Sequence, residues 1–212
     1  MRQYPRRGPL EMLEPRTADD RRLLYELIRE ALACEGINDV YTAQRLALVG
    51  VEHLSGQGER LVLRGDSTLD LPGVARALPE ALGLPLVEID AGALAETNWR
   101  GADLAWYIGR MYRELHQTYQ PAMVPSTAAR ACIVVNHLDR ARLPGSVHGS
   151  DSTRDYREGK QTSLLPLFDE VAIPVPQSGT GVVWSSGTAL VILTAEFADL
   201  PTGVPDADDL VS

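Results

Sequence analysis

Four short apolar runs decide the fold class of this chain. Leu61-Val62-Leu63, Leu86-Val87-Glu88-Ile89-Asp90, Ile133-Val134-Val135 and the stretch from Ala189 to Thr194 each suit a buried strand, and segments with a helical period separate them. Alternation of this kind predicts an α/β protein: a mostly parallel sheet with helices on both faces, in three αβα layers. The continuous apolar character of Ile133-Val134-Val135 predicts burial on both sides. In such sheets ligands bind at the carboxyl ends of the strands. Those ends are Gly65, Asp90, Asn136 to Asp139, and Ala195-Glu196.

The helical segments carry their own start and stop signals. Thr17 with Asp20 forms a capping box ahead of an apolar face of Leu24, Leu27, Ile28, Ala31 and Leu32, and Gly36 ends that helix. A second helix is expected from Thr42 to Leu54, with Leu46, Val49 and Leu54 inward and Gly56 as its stop. A third follows Pro72 through Val74, Leu78 and Leu82. Pro79 inside it lacks an N–H and predicts a kink or break. Ala102 to His116 presents Leu104, Ile108, Met111 and Leu115 on one face. A helix is expected from Gln161 to Glu170 despite Pro166. Residues 171–176 and 181–184 are read as a hairpin. Residues 1–15, with Pro5, Pro9 and Pro15, read as an extended arm; 16–200 as one domain; and 201–212 as an acidic tail. Residues 141–159 read as a polar, mobile loop.

The 212 residues suffice for one domain with a full core. The net charge is −9, from 20 basic and 29 acidic residues. An acidic chain without a long basic run is a poor nucleic-acid binder, and Arg2, Arg6 and Arg7 read as a solvated group. No apolar stretch approaches the roughly 20 residues needed to span a bilayer, and residues 1–15 lack the apolar core of a signal peptide, so a cytoplasmic location is expected. Cys34 and Cys132 have no metal or redox spacing. Cys132, Trp106 and Trp184 read as packing residues. His137, Asp139 and His148 fit no metal-ligand spacing, and no metal is expected.

The loop after the first strand carries the most chemistry. A phosphate-gripping loop between strand and helix reads G-x-x-x-x-G-K-[ST]. Here the corresponding residues are Gly65-Asp66-Ser67-Thr68-Leu69-Asp70-Leu71-Pro72, and the only lysine of the chain is the distant Lys160. Leu71 has no donor for a phosphate, and Pro72 has neither hydroxyl nor N–H. Asp66 and Asp70 add negative charge where a polyphosphate would sit.

Other segments carry a collinear resemblance. Leu94-Ala95-Glu96-Thr97-Asn98-Trp99-Arg100-Gly101, Arg154-Asp155-Tyr156 with Glu158-Gly159, Leu164 to Glu170, and Val171 to Gly179 occur in one order. From about residue 37 to residue 200 the chain resembles the large AAA+ domain of ClpX-type protein unfoldases. The resemblance implies a P-loop NTPase fold. It implies a first pore loop at Trp99, Arg100 and Gly101, and a second around Arg154 and Tyr156. Trp99 is also read as a locally packed residue, and Arg100 as a solvated one. The turn around Ile37 and Val40 is similar to the family's adenine-side turn.

Set against the family, the chain departs at every catalytic element. Leu71 stands where the family has the phosphate-loop lysine, and Pro72 where it has the magnesium-binding hydroxyl. Asn136 and His137 follow the third strand where the family places a magnesium-binding Asp and a water-activating Glu, and Asp139 matches only the next acidic position. Ala195 stands at the sensor position of the last strand. The small lid domain that follows in the family is missing from the sequence. These departures imply a pseudo-ATPase with no catalytic residue and no cofactor, acting as a scaffold, adaptor or regulator with a protein partner such as an active unfoldase or its substrate. Three alternatives stay open. One is a switch that holds ATP or ADP by adenine and ribose alone. Another is a genuine ATP-dependent unfoldase or protease subunit. The last is a repurposed enzyme using His137 with Asp139 or Glu196.

Overall fold

The computed structural model describes residues 15–66, 68–94, 103–141, 163–169, 172–175 and 182–196. Four strands form one parallel sheet: β1 (Glu59–Gly65), β2 (Leu86–Asp90), β3 (Cys132–Asn136) and β6 (Leu190–Glu196), in the spatial order β1-β6-β3-β2. All three pairings are parallel, with Gly65 beside Glu196, Asp90 beside Asn136 and Val135 beside Leu193. A separate antiparallel pair joins β4 (Ile173–Pro174) to β5 (Val183–Trp184), at the place expected for a hairpin.

Strand alternation divides the core into two faces. On one face Val87, Ile89, Ile133, Val135, Val191 and Leu193 pack with α4 (Leu104–Thr118), α5 (Val124–Ala129) and Trp184. On the other, Cys132, Val134, Leu190 and Ile192 pack with α1 (Ala18–Cys34), α2 (Val40–Leu54) and α3 (Leu71–Leu82). The result is the αβα layering that the strand–helix alternation predicts. β3 is buried from Cys132 to Val135, as its unbroken apolar run predicts. Each fully buried Leu or Ile on these faces contributes roughly 1.5–3 kcal/mol.

Local chemistry sets the helix ends. The Thr17 Oγ1 accepts the Asp20 N–H at 3.1 Å, and the Asp20 carboxylate accepts the Thr17 N–H at 2.9 Å, so the capping box is complete. Gly36 leaves the first helix with φ of 90°. The second helix starts at Val40 rather than Thr42, because Asp39 caps it by accepting the Thr42 N–H at 2.7 Å. Leu46 and Leu54 turn inward as expected, whereas Val49 is half-buried. The amphipathic helix over 102–116 is displaced two residues, to Leu104–Thr118, because Asp103 caps it. Its four expected inward residues are all buried.

Two expectations about proline fail in opposite ways. α3 runs unbroken through Pro79 to Leu82. Pro79 removes a single bond near the helix end, its ring is buried, and its own carbonyl accepts the Leu84 N–H as the chain turns at left-handed Gly83. Around Pro166 the α-helix expected over 161–170 does not continue through the described residues 163–169. The described residues there make a short helical turn and a 3-10 segment, Leu165–Leu167. A proline in the middle of so short a segment leaves too few intrahelical bonds to continue it.

The expected extended arm over 1–15 and mobile loop over 141–159, apart from Pro15 and Ala141, and the acidic tail over 201–212 lie outside the described residues. No helix among the described residues is long and apolar enough to cross a membrane.

Candidate functional site at the carboxyl edge of the sheet

β1 delivers the chain at Gly65 into the loop that precedes α3. The loop closes on itself. Asp66 accepts the Thr68 N–H at 2.9 Å and is also bonded by the Thr68 hydroxyl. Those two bonds, the hydroxyl first, hold the Asp66 carboxyl below its ordinary pKa. The side chains of Leu69 and Leu71 lie over Gly65: a Cβ placed there would meet Leu69 Cδ1 at 2.6 Å and Leu71 Cδ2 at 3.2 Å. Leu71 is buried, with 5% of its surface exposed. Apolar side chains thus fill the space over the glycine that a phosphate loop leaves open to an anion.

The N-terminus of α3 is closed as well. Asp70 is its N-cap and accepts the Gly73 N–H at 3.0 Å. The Leu71 N–H goes to the Leu69 carbonyl at 2.9 Å, Pro72 has none, and the Val74 N–H bonds the Asp70 carbonyl at 3.0 Å. No N–H in this first turn is left to receive a ligand. The Asp70 carboxylate also answers the positive end of the helix. Asp70 therefore occupies the positive end of the helix with its own carboxylate.

The central strands bring a second group together. The Thr194 hydroxyl on β6 donates to the Asn136 side-chain oxygen on β3 at 3.1 Å and accepts the His137 N–H at 3.2 Å. His137 is the one described non-glycine residue with positive φ, 58°, a conformation that costs an L-residue roughly 1–2 kcal/mol. Its Nδ1 stands 3.8 Å from Glu196 Oε1, too far for a hydrogen bond. Asp139 accepts the Glu196 N–H at 3.0 Å. Asn136, His137, Asp139 and Glu196 therefore converge, as the strand ends imply.

The polar group facing Asn136 is Thr194. Ala195, the residue read at the sensor position, is buried on the opposite face of β6. From sequence the sensor position falls one residue on from Thr194, because both faces of β6 are apolar, which removes the alternation that assigns sides. Leu69 and Gly73 also went unread; the D-x-x-G spacing from Asp70 to Gly73 is the signal that was available.

Asp90, at the end of β2, accepts the Gly92 N–H at 2.8 Å. Burial first, and the Asp90 charge second, raise the pKa of Tyr107 on α4.

Ile37 packs at the edge of the α1–α3 face, whereas Val40 is 63% exposed at the start of α2. Trp106 is 43% exposed and meets Tyr107 edge to face, so the packing role read for it does not hold; Trp184 and Cys132 are buried as expected. Trp99, Arg100, Gly101, Arg154, Tyr156 and His148 lie outside the described residues. Among the described residues no group of three or more His, Cys, Asp or Glu could hold a metal ion. No protein-family model matches the chain.

Proposed function

We propose that the chain is a catalytically degenerate AAA+-like domain of the ClpX type, which neither binds nor hydrolyses ATP and works in the cytoplasm as a scaffold, adaptor or regulator of another protein. The observation that carries this reading is the closed first turn of α3, where Asp70 and the Leu69 carbonyl take the donors and Leu69 and Leu71 cover Gly65. A β- or γ-phosphate there would face the Asp70 carboxylate. Two like charges 4 Å apart near a protein surface repel by about 4 kcal/mol. Asn136 and His137 offer no carboxylate to hold magnesium. What the chain keeps is a two-sided core, and an outer face of α2 on which Tyr41 and Leu48, seven residues apart, are exposed.

Calorimetric titration with ATP, with and without magnesium, tests this. No heat at millimolar nucleotide and no phosphate release are expected. Micromolar binding would overturn the reading and favour a nucleotide-responsive switch. A second reading, new chemistry in the old cleft, rests on His137, whose left-handed backbone aims Nδ1 to within 3.8 Å of Glu196. It requires that a small molecule other than ATP raise the unfolding temperature, and that His137→Gln abolish the effect.

A further inference from the structure

The last turn of α2 carries a buried histidine. His53 is 1% exposed, on the inner face of the helix with Leu46, Gly50 and Leu54. Its Nε2 lies 3.2 Å from the carbonyl oxygen of Arg130, in the turn between α5 and β3 and 77 residues away along the chain. A carbonyl can only accept, so Nε2 carries the hydrogen, and in the neutral ring Nδ1 is then bare. Nδ1 is buried with no hydrogen-bond partner. The contact thus joins the end of α2 to the entry of the central strand β3.

We infer that His53 is a proton-operated latch: neutral, it fastens α2 to the turn before β3, and a second proton would set a buried charge beneath the helix and loosen that fastening. The inference is independent of any role in nucleotide binding.

The surrounding groups favour the neutral ring. Burial is the largest influence and holds the pKa of His53 below the ordinary imidazole value. The Arg130 carbonyl and the Gln57 backbone pull the other way, and the Arg130 charge adds to burial. Glu52, beside His53 on α2, pairs with Arg21 on α1. Glu59, at the start of β1, is acted on by Glu52 and Arg60. Cys132 on β3 is fully buried, and burial pushes its thiol up, so it stays neutral. No carboxylate is among the influences on the His53 ring.

The direction of the pH effect follows. The unfolded chain takes up this proton below about pH 6.5, whereas the folded chain resists it. Stability from this residue is complete above that pH, declines as pH falls below it, and levels off once the folded pKa is passed.

The test is urea unfolding of the wild type and of His53→Gln at several values between about pH 8 and pH 5, with an NMR titration of the wild-type histidine rings. Glutamine keeps an N–H for the Arg130 carbonyl and cannot titrate. The wild-type midpoint should fall as pH drops below about 6.5, the variant's midpoint should fall less over the same interval, and the His53 ring should titrate below that value. Parallel midpoint curves for the two proteins, or a His53 ring titrating at or above the ordinary value, would overturn the latch. If the variant does not fold, the wild-type ring titration decides the matter alone.

Discussion

The carboxylate of Asp70 accepts the backbone N–H of Gly73 at 3.0 Å and lies where a side chain on residue 73 would stand. This pair is what closes the start of α3. A Cβ at position 73 would fall inside the contact radius of Asp70 Oδ2, so the carboxylate takes this orientation over the helix end because residue 73 is glycine.

The two residues are therefore expected to be coupled. Asp70→Ala removes the cap and should cost about 1 kcal/mol. Gly73→Ala in the wild type forces the carboxylate to shift, so a weakened cap offsets a helix-propensity gain of up to about 1 kcal/mol. In the Asp70→Ala background the same Gly73→Ala change should stabilise, because there is no cap left to lose. Urea unfolding of the four proteins checks this cycle. Additive effects would show that the pair does not act as a unit.

Leu71→Lys introduces the residue type of a phosphate loop but should not confer ATP binding. Leu71 is buried beside Gly65 and Leu69. The substitution removes about 2 kcal/mol of apolar burial and asks an ammonium to leave water. A loss of about 2–4 kcal/mol is expected, with no gain of ATP binding by calorimetry. A stable variant that binds ATP would show the loop to be open.

Thr194→Val keeps the shape of the side chain and removes the hydroxyl between Asn136 and His137. Two polar groups at the strand ends then lose a partner, and about 1–3 kcal/mol of stability should go with them. His137→Gly relieves the positive φ but adds the entropy of glycine, so it should change stability by less than about 1 kcal/mol. Thermal unfolding of both variants separates the two effects.

Trp184 anchors the small hairpin. It is 2% exposed, and its Nε1–H donates to the Ala128 carbonyl at 2.8 Å. Trp184→Phe removes this donor, leaving the Ala128 carbonyl with the Ala131 N–H at 3.2 Å, and opens a void, which together should cost about 1–3 kcal/mol in a urea titration.

Much of this architecture was legible in the residues. Apolar runs such as Ile133-Val134-Val135 mark strands buried on both faces, and the Thr17–Asp20 box marks a helix start, because each depends on neighbours a few positions away. Helix limits at Val40 and Leu104 shifted by two residues because Asp39 and Asp103 are caps that compete with the apolar period as boundary signals. The region around Pro166 misled because its apolar residues suit a helix while the proline limits the hydrogen bonds available to one.

The candidate site divides along the same line. That the loop after β1 lacks a lysine, a hydroxyl at Pro72 and open glycines is a property of composition at fixed positions, and the sequence alone determines it. It also determines which residues stand at the ends of the strands. Only the tertiary structure decided that Asp70 seals the start of α3, that Leu69 lies over Gly65, that Thr194 rather than Ala195 meets Asn136, and that His53 reaches a carbonyl 77 residues away. The physical reason is that local order follows from the chemistry of adjacent residues. Side chains distant in the chain meet only where strand order and register bring them together, and the order β1-β6-β3-β2 sets β6 between β1 and β3, so that Thr194 meets Asn136 and Glu196 lies beside Gly65.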